Sequence, residues 1–149
     1  MNMIKELAGN EAAYRALSVN WFQHSGIMEL LKELSSKNIE IIVTTDHGTI
    51  KVNNAVKVIG EKSTNSNLRY KLGRNLNYNP KEVFEIRKPE DARLPSLNLS
   101  SSYIFAMNQD FFVYPSNLNY YANFYKNSFQ HGGISLEEMI IPVIQLHPR

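Results

Sequence analysis

The sequence predicts a mixed α/β fold, and three observations carry that prediction. Two apolar stripes at helical spacing open the chain, and a short β-branched run follows them. Beyond residue 50, brief β-like runs alternate with segments rich in Asn, Ser, Gly and Pro. The expected layout is a helical region over 1–37, a central strand over 39–45 and a β-rich remainder.

The elements follow in order. Met1-Asn2-Met3-Ile4-Lys5-Glu6-Leu7 reads as a helix beginning, and Ile4, Leu7, Ala8, Ala12 and Leu17 recur at roughly helical spacing. After Val19-Asn20-Trp21-Phe22-Gln23-His24, Ser25 stands where an N-cap would, ahead of the stripe Ile27, Leu30, Leu31 and Leu34. Ser35 to Asn38 ends that second helix. Ile39-Glu40-Ile41-Ile42-Val43-Thr44-Thr45 is short and nearly continuously apolar, the pattern of a strand buried on both faces in a parallel sheet. Further strands are expected within Ala55–Ile59, Lys81–Ile86, Tyr103–Met107 and Phe111–Tyr114, with Asn108-Gln109-Asp110 as a hairpin turn between the last two. The polar, Asn-rich stretch 60–79 reads as a long loop or excursion. Ser135-Leu136-Glu137-Glu138 has capping-box spacing, and Met139–Leu146 reads as a late strand that Pro142 confines to an edge or bulge.

Composition excludes several classes. Apolar residues make up 43% of the 149, enough for a core, and a net charge of +2 is too mild to imply nucleic acid. No run approaches the ~18 apolar residues of a membrane span, and the opening residues lack the pattern of a signal peptide. With no cysteine, disulfides and thiolate metal sites are excluded, so any metal must sit on His and carboxylates. A cytoplasmic protein is expected.

Two short motifs carry the chemistry. Thr44-Thr45-Asp46-His47-Gly48 directly follows the apolar run, where ligands of open α/β sheets bind. A carboxylate oxygen and an imidazole nitrogen both ligate zinc, and Gly48 gives the chain freedom to leave the strand. Gln130-His131-Gly132-Gly133 is the second, again a His followed by glycine. Each alone is a weak signal, and the first also reads as an ordinary turn with a capped Asp.

Together the motifs resemble the C-terminal half of the alkaline phosphatase superfamily, with an alkaline-phosphatase-like mixed sheet flanked by helices. The tail His131-Gly132-Gly133-Ile134-Ser135-Leu136-Glu137-Glu138-Met139-Ile140-Ile141-Pro142-Val143 is similar to PglZ domains in particular. Lys5-Glu6-Leu7-Ala8, Glu11–Arg15, Trp21-Phe22, Thr45–Ile50, Lys57–Gly60, Asn67–Lys71 and Gly73–Leu76 resemble the PglZ domain of PorX-type response regulators linked to type IX secretion.

The resemblance implies a two-zinc phosphoric ester hydrolase in which Asp46 and His47 hold one ion and His131 the other. It also requires a Thr or Ser nucleophile and an Asp-x-x-x-His pair, neither of which stands in this sequence. The expectation is therefore a C-terminal part of the domain, without the receiver and nucleophile-bearing half. Such a chain would bind zinc weakly and catalyse nothing alone. A phosphate ester or nucleotide substrate is implied, with a regulatory protein partner or a homodimer also expected. The alternative is a non-catalytic nucleotide- or zinc-binding module that contacts another protein.

Among the remaining residues, Arg69, Lys71 and Arg74, with Tyr70 between them, could hold substrate phosphates or simply solvate a loop. His24 reads as a packed or capping residue, His147 as incidental surface, and Asp91 and Asp110 as turn residues. The aromatics Tyr103, Phe105, Phe111, Phe112, Tyr114, Tyr120, Tyr121, Phe124 and Tyr125 read as core. Glu137 and Glu138 are assigned to the helix start, where carboxylates are favoured.

Overall fold

The computed structural model describes residues 4, 7–61, 64–96 and 100–148. The helix beginning read at Met1–Met3 and the Lys5-Glu6 pair lie outside the described residues. The chain divides into two compact units, Met1–Asp46 with Ile140–Arg149, and His47–Met139.

In the first unit, helix α1 spans Glu11–Gln23 and helix α2 spans Gly26–Ser35. Asn10 starts α1 by accepting a hydrogen bond from the Ala13 amide at 2.8 Å. The helix runs on through Val19–Phe22, where neither Gly nor Pro stands to stop it. His24 closes it as the sequence suggested, its Nδ1 donating to the Asn20 carbonyl at 2.9 Å. Ser25 occupies the N-cap position of α2, but its hydroxyl donates to the Phe22 carbonyl at 2.9 Å and makes no capping bond.

Strand β1, Ile41–Thr44, corrects a sequence expectation. It pairs antiparallel with a late strand, Val143–Leu146, in a two-stranded sheet, with Ile41 opposite Leu146 and Thr44 opposite Val143. Its side chains alternate between half-buried and exposed, and Ile42 is 64% exposed. The continuous apolar run thus reports neither a parallel neighbour nor burial on both faces among the described residues. Pro142 precedes the late strand, and its carbonyl accepts from Thr44 Oγ1 at 2.8 Å.

The second unit holds the described core. Its strands are β2 (Ile50–Lys51), β3 (Asn54–Lys57), β4 (Tyr70–Gly73), β5 (Val83–Ile86), β6 (Ser102–Ala106), β7 (Asp110–Val113) and β8 (Phe129–Gln130). Strand β3 pairs in parallel with β7, whereas β2–β8 and the three-stranded β4–β6–β5 sheet are antiparallel. The late strand of the first unit is β9. Helix α3 covers Leu118–Tyr125 and the one-turn helix α4 covers Leu136–Met139. Mixed pairing among helices makes the fold α/β.

Two apolar clusters form. Val56, Val58, Val83, Ile104, Ala106 and Phe112 make one, and Ile50, Val52, Phe111 and Val113 the other. Alternation along β7 sends Phe111 and Phe112 to different clusters. Residues 60–79 are not one loop, because β4 forms within them. The Asn108 turn exists, with Asn108 at φ 45° and the Asp110 amide bonded to the Met107 carbonyl at 2.9 Å. It is not a hairpin, since β6 and β7 enter different sheets. Tyr103, Phe105, Phe111 and Phe112 are core as expected, but Tyr114, Tyr120, Tyr121 and Phe124 are exposed.

Candidate functional site

Both His-Gly motifs place an imidazole on a turn of the second unit, and the two rings meet. His47 and His131 stack with centroids 3.7 Å apart and planes 7° from parallel. His47 Nδ1 lies 2.7 Å from the carbonyl oxygen of Gly48. A carbonyl only accepts, so Nδ1 carries the proton and the lone pair falls on Nε2.

Glycine is required at both turns. A Cβ on Gly48 would lie 1.9 Å from the Glu137 carbonyl oxygen. Its amide donates to the Glu138 carbonyl at 2.8 Å. Gly132 has φ +100°, a conformation that L side chains rarely adopt, and its Cβ would meet the Asn67 side chain at 2.7 Å.

Glu138 ties the two motifs together. Its backbone carbonyl holds the Gly48 amide, while its carboxylate accepts from the Gly133 amide at 2.9 Å and the Ser135 amide at 3.3 Å. The Ser135 bond is the reciprocal arm of the capping box read from the sequence. The same carboxylate receives Arg69 Nε at 3.0 Å and Nη2 at 2.8 Å in a bidentate, buried pair. Arg69 Nη1 also donates to the Asp110 carbonyl. Burial raises the pKa of Glu138, but Arg69 and the two amides outweigh it and hold the carboxyl below its ordinary value. Asn67 completes the frame, its Nδ2 donating to the His131 carbonyl at 3.3 Å and its Oδ1 accepting the amides of Arg69 and Tyr70.

Arg69 is therefore not a solvated cation of a basic loop. It is fully buried, and its guanidinium holds the framework under His131. The sequence carried a signal for this in the capping-box spacing of Glu138, but nothing in it paired that residue with Arg69, 69 positions away. Lys71 lies on β4, and its Nζ donates to the Asn65 carbonyl at 2.9 Å. Arg74 follows the strand and is exposed. Tyr70 stacks on Tyr103 and Phe105 within the fold. Asp46 ends the first unit and is exposed, accepting from Thr45 Oγ1 at 3.5 Å. His147 pairs with Glu40 at 3.0 Å.

The imidazole pair can be tested against zinc. Ring lone pairs lie in the ring planes, so two nearly parallel stacked imidazoles cannot both aim at one ion at ~2.0 Å. Each ring could ligate only an ion of its own. Their separation is of the same order as the ~3.5–4 Å between the ions of two-metal sites. Among the described residues no group of three or more His, Asp or Glu side chains is gathered around one point.

The mixed α/β fold is consistent with an alkaline-phosphatase-like domain, a phosphatase-type hydrolase fold. The model of the BREX system PglZ alkaline phosphatase-like domain matches residues 2–146, and the chain belongs to that family. No curated protein matches it. No helix among the described residues is long and apolar enough to cross a membrane.

Proposed function

We propose that this chain supplies metal-holding residues to a two-zinc phosphatase or phosphodiesterase domain. The observation that carries the reading is the parallel stack of His47 and His131, which suits two neighbouring ions and not one shared ion. His47 takes one ion through Nε2 and His131 takes the other, and the resemblance to the family names Asp46 as a further ligand of the first. Bound divalent ions would stabilise the attacking and leaving oxygens of a displacement at phosphorus. The contribution of this chain is to position the rings. Gly48 and Glu138 fix the first turn, and Glu138, Arg69 and Asn67 fix the second. Each tetrahedral site needs about three protein ligands, so further ligands and the nucleophile come from residues outside this set.

The finer setting is also a proposal. Thr45–Ile50, Lys57–Gly60, Asn67–Lys71 and Gly73–Leu76 support placing the domain as the output module of a PorX-like response regulator linked to type IX secretion, in the cytoplasm.

The test is hydrolysis of an aryl phosphate and an aryl phosphodiester, with zinc or manganese, by the full product of the gene encoding this chain. Metal-dependent turnover lost in both His47→Ala and His131→Ala supports the reading. Turnover unchanged in both variants would overturn it. Zinc binding without any turnover would assign the domain instead to a non-catalytic regulatory module.

A further inference from the structure

The second unit contains a cleft that shares no lining residue with the histidine pair. It has a volume of about 410 Å³ and is lined by Val58, Gly60, Glu61, Thr64, Asn65, Lys71 and Tyr114. Val58 and Tyr114 are the residues immediately after β3 and β7, the parallel pair. The cleft therefore opens at the carboxyl ends of parallel strands, where ligands of α/β sheets bind.

Its polar groups are incompletely matched. Lys71 Nζ donates to the Asn65 carbonyl at 2.9 Å, and no carboxylate among the described residues pairs with it. An ammonium has three donors, so that bond leaves capacity for an acceptor. Thr64 Oγ1 is buried with no hydrogen-bond partner among the described residues, against the usual rule for buried hydroxyls. Glycine makes room for that hydroxyl, since a Cβ on Gly60 would lie 2.4 Å from it and one on Gly73 2.9 Å from it. Glu61, the one carboxylate among the lining residues, accepts from Asn75 Nδ2 at 2.8 Å. The Tyr114 ring is 53% exposed and offers a flat apolar face beside Val58.

We propose that this cleft binds a small organic anion, its carboxylate or phosphate oxygens taken by Lys71 and its planar body resting on Tyr114. Burial pushes the Lys71 ammonium below its ordinary value of 10.5, and a seated anion would favour the charged form again. The proposal stands without the hydrolase reading, because it uses no histidine and no metal.

The experiment uses the full chain with chelator present, titrated with benzoate, phenyl phosphate and inorganic phosphate. Saturable binding of benzoate or phenyl phosphate is expected, and the stronger of the two identifies the head group. Lys71→Gln should weaken it about tenfold or more, the effect of losing one charge-assisted hydrogen bond. Tyr114→Ala should weaken the aromatic anions and leave inorganic phosphate unchanged, while His47→Ala should alter none of them. Lys71 labelling by an amine-directed reagent, read by mass spectrometry on the unmutated chain, should fall when the anion is present. Absence of saturable binding, binding unaltered in Lys71→Gln, or labelling indifferent to the anion would overturn the proposal.

Discussion

Glu138 is a single residue on which two distant motifs depend, one through its backbone and the other through its carboxylate. Removing one partner of a buried ion pair leaves the other charge uncompensated, which costs about 3–5 kcal/mol. Arg69→Met and Glu138→Gln should each destabilise the chain on that scale, read by chemical denaturation. The pH dependence has a definite sign. The folded pKa of Glu138 lies below its ordinary 4.5, so its contribution is fully present above that value and is lost as pH falls through the lower folded pKa. Denaturation midpoints measured from pH 6 down to pH 3 should fall, and Glu138→Gln should flatten that fall. Gly48→Ala is the sharpest steric probe, because its methyl would overlap the Glu137 carbonyl. A backbone shift costing about 1–3 kcal/mol is expected, with loss of the His47–His131 ring contact in nuclear Overhauser spectra.

Among the elements, stability should be unequal. Strands β4, β5 and β6 form a three-stranded sheet whose Ile104 and Ala106 are fully buried. In the first unit, β1 and β9 pair only with each other among the described residues, and every residue of β9 is exposed. Two-stranded ribbons are marginal in water, and few buried apolar contacts mean low-energy local opening. Amide hydrogen exchange should therefore be fast at Ile42, Val43 and Ile144 and slow at Ile104 and Phe105. Equal protection in both sheets would contradict this ranking.

For the molecule as a whole, the sequence made the local elements legible and left their partners hidden. The second helix and the strands that overlap Ala55–Ile59, Lys81–Ile86, Tyr103–Met107 and Phe111–Tyr114 were readable, because periodicity and turn residues are local signals. Pairing is not local. Nothing in Ile39–Thr45 distinguishes a two-sided burial from an antiparallel ribbon with β9, a hundred residues on. Likewise the Asn108 turn fixes a reversal but not which sheets its flanking strands enter. At the site, His47 and His131 were legible through their glycines. The buried Arg69–Glu138 clamp was not, since a sequence shows a cation in a polar stretch and not where its guanidinium goes. Tyr120, Tyr121 and Phe124 misled for a similar reason: aromatic content marks apolar potential, and burial depends on what packs opposite.

The central claim is that His47 and His131 address two neighbouring ions. Anomalous-difference maps at the zinc edge, from crystals of the chain soaked in millimolar zinc, test it most directly. Two peaks about 4 Å apart are predicted, one within bonding distance of His47 Nε2 and the other beside His131, each vanishing in the corresponding His→Ala variant. One peak bonded to both rings, or no zinc beside either, would contradict the account.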